Sequence, residues 1–249
     1  MVSFIVFALA WTGALFGMWL RRALPLDHLS SDAKDTIRLA IGLLVTMTSL
    51  VLGMLVSSAK TYYDGQKNVV AQMASEIIYL DSLLETFGSE SKDLRVELRL
   101  DLEVAIDRIW PKEDSRLSEL KPKDLTRNIN EQVEVLVPKN AAEAAAKTQI
   151  ITTVQGLKKT YWLMFLNSEQ TTVSSLLLAV VTSWLVTIFV SFGIFAPPNT
   201  TVMITLLICA LAVSAAILII MEMYSPFNGI MRISPVAVRD ALSQMTAAQ

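Results

Sequence analysis

Residues 39–60 read LAIGLLVTMTSLVLGMLVSSAK, and 21 of them pass without a charge before Lys60. At 1.5 Å of rise per residue this run is roughly 30 Å long as a helix, the thickness of a hydrocarbon core. Its small and polar residues are ordered. Gly42, Thr46, Ser49, Gly53, Ser57 and Lys60 follow at steps of four, three, four, four and three. On a helix they share one strip about 80° wide, with Leu43, Leu50 and Met54 outside it. Such a strip has two readings. Small residues let membrane helices approach closely, which makes it a packing face. Alternatively it is the wall of a wet pathway, and in an oligomer the two coexist.

Composition supports a membrane setting. Of 249 residues, 53% are hydrophobic and the net charge is −2. That is too apolar for an ordinary soluble domain, and the absence of a basic tail argues against nucleic acid as a partner. The single cysteine, Cys209, excludes an intrachain disulfide. The single histidine, His28, has no His or Cys companions and reads as a solvated loop residue, so no metal site and no cofactor are expected.

Working outward, residues 2–20 form a first apolar run closed by Arg21 and Arg22. It lacks the basic leader of a signal peptide and is longer than the apolar core of one, so it is expected to remain as a membrane helix. Gly13 and Gly17 make a GxxxG pair flanked by Ala10 and Ala14, a pattern suited to tight helix contact. A polar connection with Pro25 and the Ser30-Ser31-Asp32 cluster then leads into the organising run.

Beyond Lys60, Val70, Met73, Ile77, Leu80, Leu84 and Phe87 repeat at alternating steps of three and four, the seam of a coiled coil. The second span is expected to continue as a stalk to about Phe87, with Gly88 as its stop. Three further amphipathic segments are expected. One runs from about 91 to 110, with Leu94, Leu98, Leu102, Ala105 and Ile109 on one side, and is ended by Pro111. Another runs from about 123 to 137. The last starts at Ala141 and passes through Ile150, Val154 and Leu157 toward Trp162 and Phe165. Carboxylates here interleave with arginines at helical spacing, which describes a solvated face rather than an isolated catalytic pair.

Two more spans follow. Residues 173–195 end at the Ala196-Pro197-Pro198-Asn199 turn and carry a second small-polar line through Ser183, Thr187 and Ser191. Residues 201–221 close with Glu222, either a group beside a cavity or an interfacial carboxylate, and with Tyr224 at aromatic-belt height. Ser234-Pro235 opens a short last helix. The expected fold is an all-α membrane protein of four spans with a water-exposed helical bundle between the second and third. Its parts are 1–58, the bundle at 59–172, 173–223 and a tail at 224–249.

Five segments carry a resemblance. They are LGMLVSSAKTYYD at 52–64, LDSLLETFG at 80–88, IWP at 109–111, SWLVTIFVSFGIFAPPN at 183–199 and EMYSPFNGIMRIS at 222–234. Together they resemble a bacterial family of four-span membrane proteins of unknown function called bestrophin-like, distantly similar to the bestrophin anion channels. The pairing of a lysine-ended second span with the Pro226-Phe227 turn is its most specific part. The resemblance implies an oligomeric channel whose axis is lined by the second span. Here that would mean Gly42, Thr46, Ser49, Gly53 and Ser57, with Lys60 as a positive ring at one mouth that concentrates anions. Two features of bestrophins proper have no counterpart: residues 39–60 contain no aromatic residue, and Asn228, Gly229 and Ile230 stand where a calcium-binding acidic run would follow.

The function expected is therefore an ion channel for inorganic anions in the inner cell membrane. A membrane-anchored interaction or scaffold protein is the alternative. Both involve the lipid bilayer and self-association. An enzyme is not expected, because the chain has no HExxH, GxSxG, Gly-rich phosphate loop or Cys/His cluster.

Overall fold

The structure is a computed structural model that describes residues 2–23, 31–110, 133–134, 136–170, 175–197, 199–227 and 229–247. Among these there are seven α-helices and no strand. They are α1 (Val2–Ala23), α2 (Ser31–Glu85), α3 (Lys92–Ile109), α4 (Ala141–Gln170), α5 (Ser175–Phe195), α6 (Thr200–Met223) and α7 (Val236–Ala247). Four of them, α1, α2, α5 and α6, are long and apolar enough to cross a membrane. The chain divides into two units, one of residues 1–62 and 172–224, the other of residues 63–171 and 225–249. α2 contributes to both without a break in its 55 residues. Its length, about 80 Å, exceeds any single crossing of a bilayer.

In the first unit the tightest contact joins α1 to α5, and glycine makes it possible. A Cβ on Gly17 would lie 2.1 Å from the Val190 carbonyl oxygen, and one on Gly193 would lie 2.3 Å from that of Ala14. Gly17 of the GxxxG pair thus meets Gly193 of α5 backbone to backbone, as small residues permit in lipid, while Gly13 faces Val186 and Val190 at ordinary contact distance. Around this crossing, Ala10 and Ala14 pack with Phe189, Leu206 and Ala210. A second cluster joins Val6 of α1, Leu55 and Ala59 of α2, Val181 and Leu185 of α5, and Ile217 and Ile220 of α6. Polar groups are paired where burial demands it. The buried Ser214 hydroxyl donates to the Ser3 carbonyl at 2.6 Å, and Arg21 donates to the carbonyl of Ala196. After Pro197 the next helix is capped by Asn199, whose side chain accepts from the Val202 amide at 2.8 Å.

The second unit has its core on the expected seam. Val70, Met73, Ile77, Leu80, Leu84 and Phe87 are all buried, and Leu94, Leu98, Leu102 and Ile106 of α3 pack on them. The α2–α3 turn uses Gly88 at φ +59°, a left-handed conformation that glycine adopts without strain. The fully buried Ser91 closes it by donating to the Leu84 and Gly88 carbonyls at 2.6 and 3.0 Å. Arg95 forks onto Asp81 with two bonds of 2.7 and 2.9 Å, tying α3 to α2. In α4 the buried positions among the described side chains are Ala146, Ile150, Val154, Leu157, Tyr161 and Met164. The seam therefore continues through Tyr161 and Met164 and leaves the expected Trp162 more exposed. Four-three steps stay on one face, whereas the step of five from Leu157 to Trp162 rotates away from it. The Phe165 side chain, His28, and positions 123–132 and 135 of the third expected bundle helix lie outside the described residues. Of the remainder, Val133 and Glu134 are helical, and Val133 and Leu136 join the core.

Asp101 departs from this order. One of its carboxyl oxygens is buried without a hydrogen-bond partner among the described residues. Burial, and secondarily the charge of Glu97, raise its pKa above the ordinary carboxylate value.

Three outcomes follow from these contacts. Gly17→Ala forces its methyl into the Val190 carbonyl and lowers stability by about 1–3 kcal/mol, whereas at Gly13 the nearest atoms would be 3.4 Å from the methyl and Gly13→Ala stays within about 0.5 kcal/mol. Thermal unfolding of both variants in mild detergent checks this. Arg95→Ala, which leaves Asp81 unpaired, costs about 2 kcal/mol, while Arg99→Ala, which removes an exposed pair with Glu103, costs under about 0.5 kcal/mol in the same assay. For Asp101 the folded pKa exceeds the unfolded one. The folded state then binds more protons between those two values, and stability falls as pH rises through that window. Asp101→Asn therefore stabilises the chain at pH 7, with a gain that shrinks as pH drops toward the ordinary carboxylate pKa.

Candidate functional site

The half of α2 that belongs to the first unit meets its own chain along one edge. Thr48, Leu55 and Ala59 are buried there, and Ile41, Leu44, Val45, Val51 and Leu52 are half-buried. At 100° per residue these positions centre on one direction. Gly42, Thr46, Ser49, Gly53, Ser57 and Lys60 centre about 140° away from it. All six are exposed in the single chain. A methyl placed on Gly42 or Gly53 would touch nothing within 4 Å. Between the strip and the packed edge, on the other flank, stands a ridge of exposed Leu43, Met47, Leu50 and Met54. The subunit thus presents two different free faces on one helix, one small and hydroxyl-bearing, the other bulky.

Two hydroxyls of the strip are satisfied locally. Thr46 donates to the Leu43 carbonyl at 2.7 Å and Ser49 to that of Val45 at 2.8 Å. Bonds of this kind let a polar side chain sit in an apolar setting without water. At the lower end of the strip Ser58 and Tyr62 engage α6. The Ser58 and Tyr224 hydroxyls are 3.0 Å apart, and the Tyr62 and Tyr224 rings stack at 5.6 Å. This contact fixes the Lys60 turn of α2 against the end of α6. It was not evident from the sequence, where Tyr224 reads only as an interfacial aromatic; the Thr61-Tyr62-Tyr63 run after Lys60 is the available signal.

The secondary candidates fall in three places. Ser183, Thr187 and Ser191 donate to the carbonyls of Val180, Ser183 and Thr187 at 2.7–2.9 Å. Ser183 and Thr187 border a groove of about 640 Å³ lined by α1 and α5 alone, so this line does not join the α2 strip there. Glu222 is half-buried in the last turn of α6. Pro226 and Phe227 belong to the second unit, where both are buried. Phe227 packs edge-on against Trp110 at 5.6 Å, and Trp110 donates its indole N–H to the Ile233 carbonyl at 2.7 Å. The Ile233 amide in turn donates to the Pro226 carbonyl at 2.7 Å, closing the loop that contains Gly229 at φ +103°. This is a structural knot. Its sequence signal was present in the IWP and SPFNGIMRIS segments, but their contact was not. Among the described residues no group of three or more His, Cys, Asp or Glu side chains could hold a metal ion.

No curated protein and no solved structure matches this chain. The family model of the Bestrophin-like domain does, over residues 8–238, which takes in most of α1, the other three apolar helices and most of the second unit's core. Four membrane-length helices and a match of that extent mean that the chain is a membrane protein belonging to the Bestrophin-like family.

Proposed function

We propose that the protein is an oligomeric ion channel of the inner cell membrane, selective for inorganic anions, with α2 lining the pore. The observation that carries this reading is the exposure of the whole small-polar strip on the side of α2 turned away from its own chain. Glycine inside a helix costs roughly 0.5–1 kcal/mol relative to alanine. Gly17 recovers that cost through close contact within the subunit, whereas Gly42 and Gly53 have no such contact. A ring of subunits would use them, either at the seam between neighbouring α2 helices or at a wall narrow in side chain and wide in lumen. Four such positions along Gly42–Gly53, followed by Ser57 and Lys60, would give a path of small radius variation ending in a ring of ammonium groups. Those groups would raise the local anion concentration at that mouth.

A scaffold role is favoured by one observation, the return of the Thr46 and Ser49 hydroxyls to their own helix. A dry helix–helix seam needs hydroxyls satisfied in this way. In that reading the strip is a contact face and the protein conducts nothing.

Planar-bilayer recording on the purified, reconstituted chain separates the two. Unitary currents with a reversal potential set by the anion gradient are expected, and Lys60→Glu shifts that potential toward the cation value. Currents whose selectivity ignores Lys60→Glu remove Lys60 from the path, and silence of a folded oligomer leaves the scaffold.

A further inference from the structure

A crevice of about 680 Å³ opens in the first unit between the start of α2, the end of α5 and α6. Its lining falls into two zones. Lys34 and Arg38, one helical turn apart on α2, provide the charge, and Phe192, Phe195 and Leu206 provide apolar wall. Ala196 also lines it, and the carbonyl of Ala196 is held by the guanidinium of Arg21, which brings a third cation to the same end of the unit. Among the described side chains the carboxylate paired with this group is Asp35, 3.6 Å from Arg38, with both side chains more than 70% exposed. A pair so exposed is weak and leaves the cluster net positive. The cations also sit where the apolar run of α2 begins, one residue before Leu39 in the case of Arg38. This is headgroup height for a helix that spans.

We propose that this crevice binds an anionic phospholipid, with its phosphate between Lys34 and Arg38 and an acyl chain against Phe192, Phe195 and Leu206. Charge above and aromatic wall below match an amphiphile. A free inorganic phosphate would satisfy only the upper zone. Basic pockets between membrane helices recognise lipid headgroups by this combination, with about 1 kcal/mol from each cation near an anionic surface, a factor of about five in affinity. The site borders Gly42 of the strip but does not involve Lys60, and lipid labelling there is read out separately from conduction.

The test uses the full chain in phosphatidylcholine nanodiscs doped with a phosphatidylglycerol that bears a diazirine on its acyl chain. Photolabelling is expected to concentrate on 192–196 and around Leu206. Excess unlabelled phosphatidylglycerol should compete it away, and inorganic phosphate should not. Lys34→Ala and Arg38→Ala each weaken labelling about five-fold, while Lys34→Arg preserves it. Equal labelling by a diazirine phosphatidylcholine, labelling spread evenly over the four spans, or displacement by inorganic phosphate alone each overturns the proposal. The comparison of the two lipids on the unmodified chain decides the matter even where a variant fails to fold.

Discussion

The constraint on which the architecture depends is that α2 has more circumference than its own chain can cover. A helix of membrane length satisfies its backbone internally, so nothing but side-chain contact decides what each face meets. In this chain one edge, through Thr48, Leu55 and Ala59, is taken by α1, α5 and α6. The rest divides into a bulky arc that suits lipid tails and an arc of glycines and hydroxyls that gains little from them. Lipid is as apolar as leucine, so a leucine facing it is unremarkable. A glycine facing it has given up helix stability for nothing. That asymmetry directs attention to assembly, because another copy of the chain is the readiest source of atoms close enough to reward Gly42 and Gly53.

Glycine carries two meanings in this molecule, and the structure separates them. At Gly17 and Gly193 a side chain is sterically impossible, since the opposing backbone already occupies its place. At Gly42 and Gly53 a side chain would meet open space. The same residue type at the same helical spacing therefore marks a finished contact in α1 and an unfinished one in α2. Sequence spacing alone does not distinguish these cases, because both are small-residue periodicities inside an apolar run. The difference lies in the partner, and for Gly17 the partner is a carbonyl 173 positions away, at Val190.

Periodic features were legible for a reason of geometry. The seam from Val70 to Phe87 and the four apolar runs repeat at the helix period, and burial of one stripe follows from that period whatever the partner. Gly88 as the stop of α2 was equally readable, since a left-handed residue is needed to turn the chain after so long a helix. Features set by a distant partner were not legible. Arg95 reads as one of many charges on a solvated face, and only the fold shows that it is forked onto Asp81 with both side chains largely buried. The continuation of α4 through Tyr161 and Met164 was missed because the bulk of Trp162 outweighed a phase that the preceding residues had already set.

The segments that carry the family resemblance turn out to meet one another. LGMLVSSAKTYYD supplies Ser58 and Tyr62, and EMYSPFNGIMRIS supplies the Tyr224 that both of them touch. IWP supplies Trp110, and the same 222–234 segment supplies the Phe227 ring and the Ile233 carbonyl that hold it. One stretch thus closes a contact in each unit, with the change of unit between Tyr224 and Ser225. Residues engaged in this way are accounted for by the fold: an indole N–H buried at Trp110 needs an acceptor, and the loop closed by the Pro226 carbonyl presents one. A family match over residues 8–238 says that the scaffold is shared, not what passes through it. Function rests on side chains that the fold does not use. In α2 these are the strip from Gly42 to Ser57, whose small size and exposure no contact within the subunit explains.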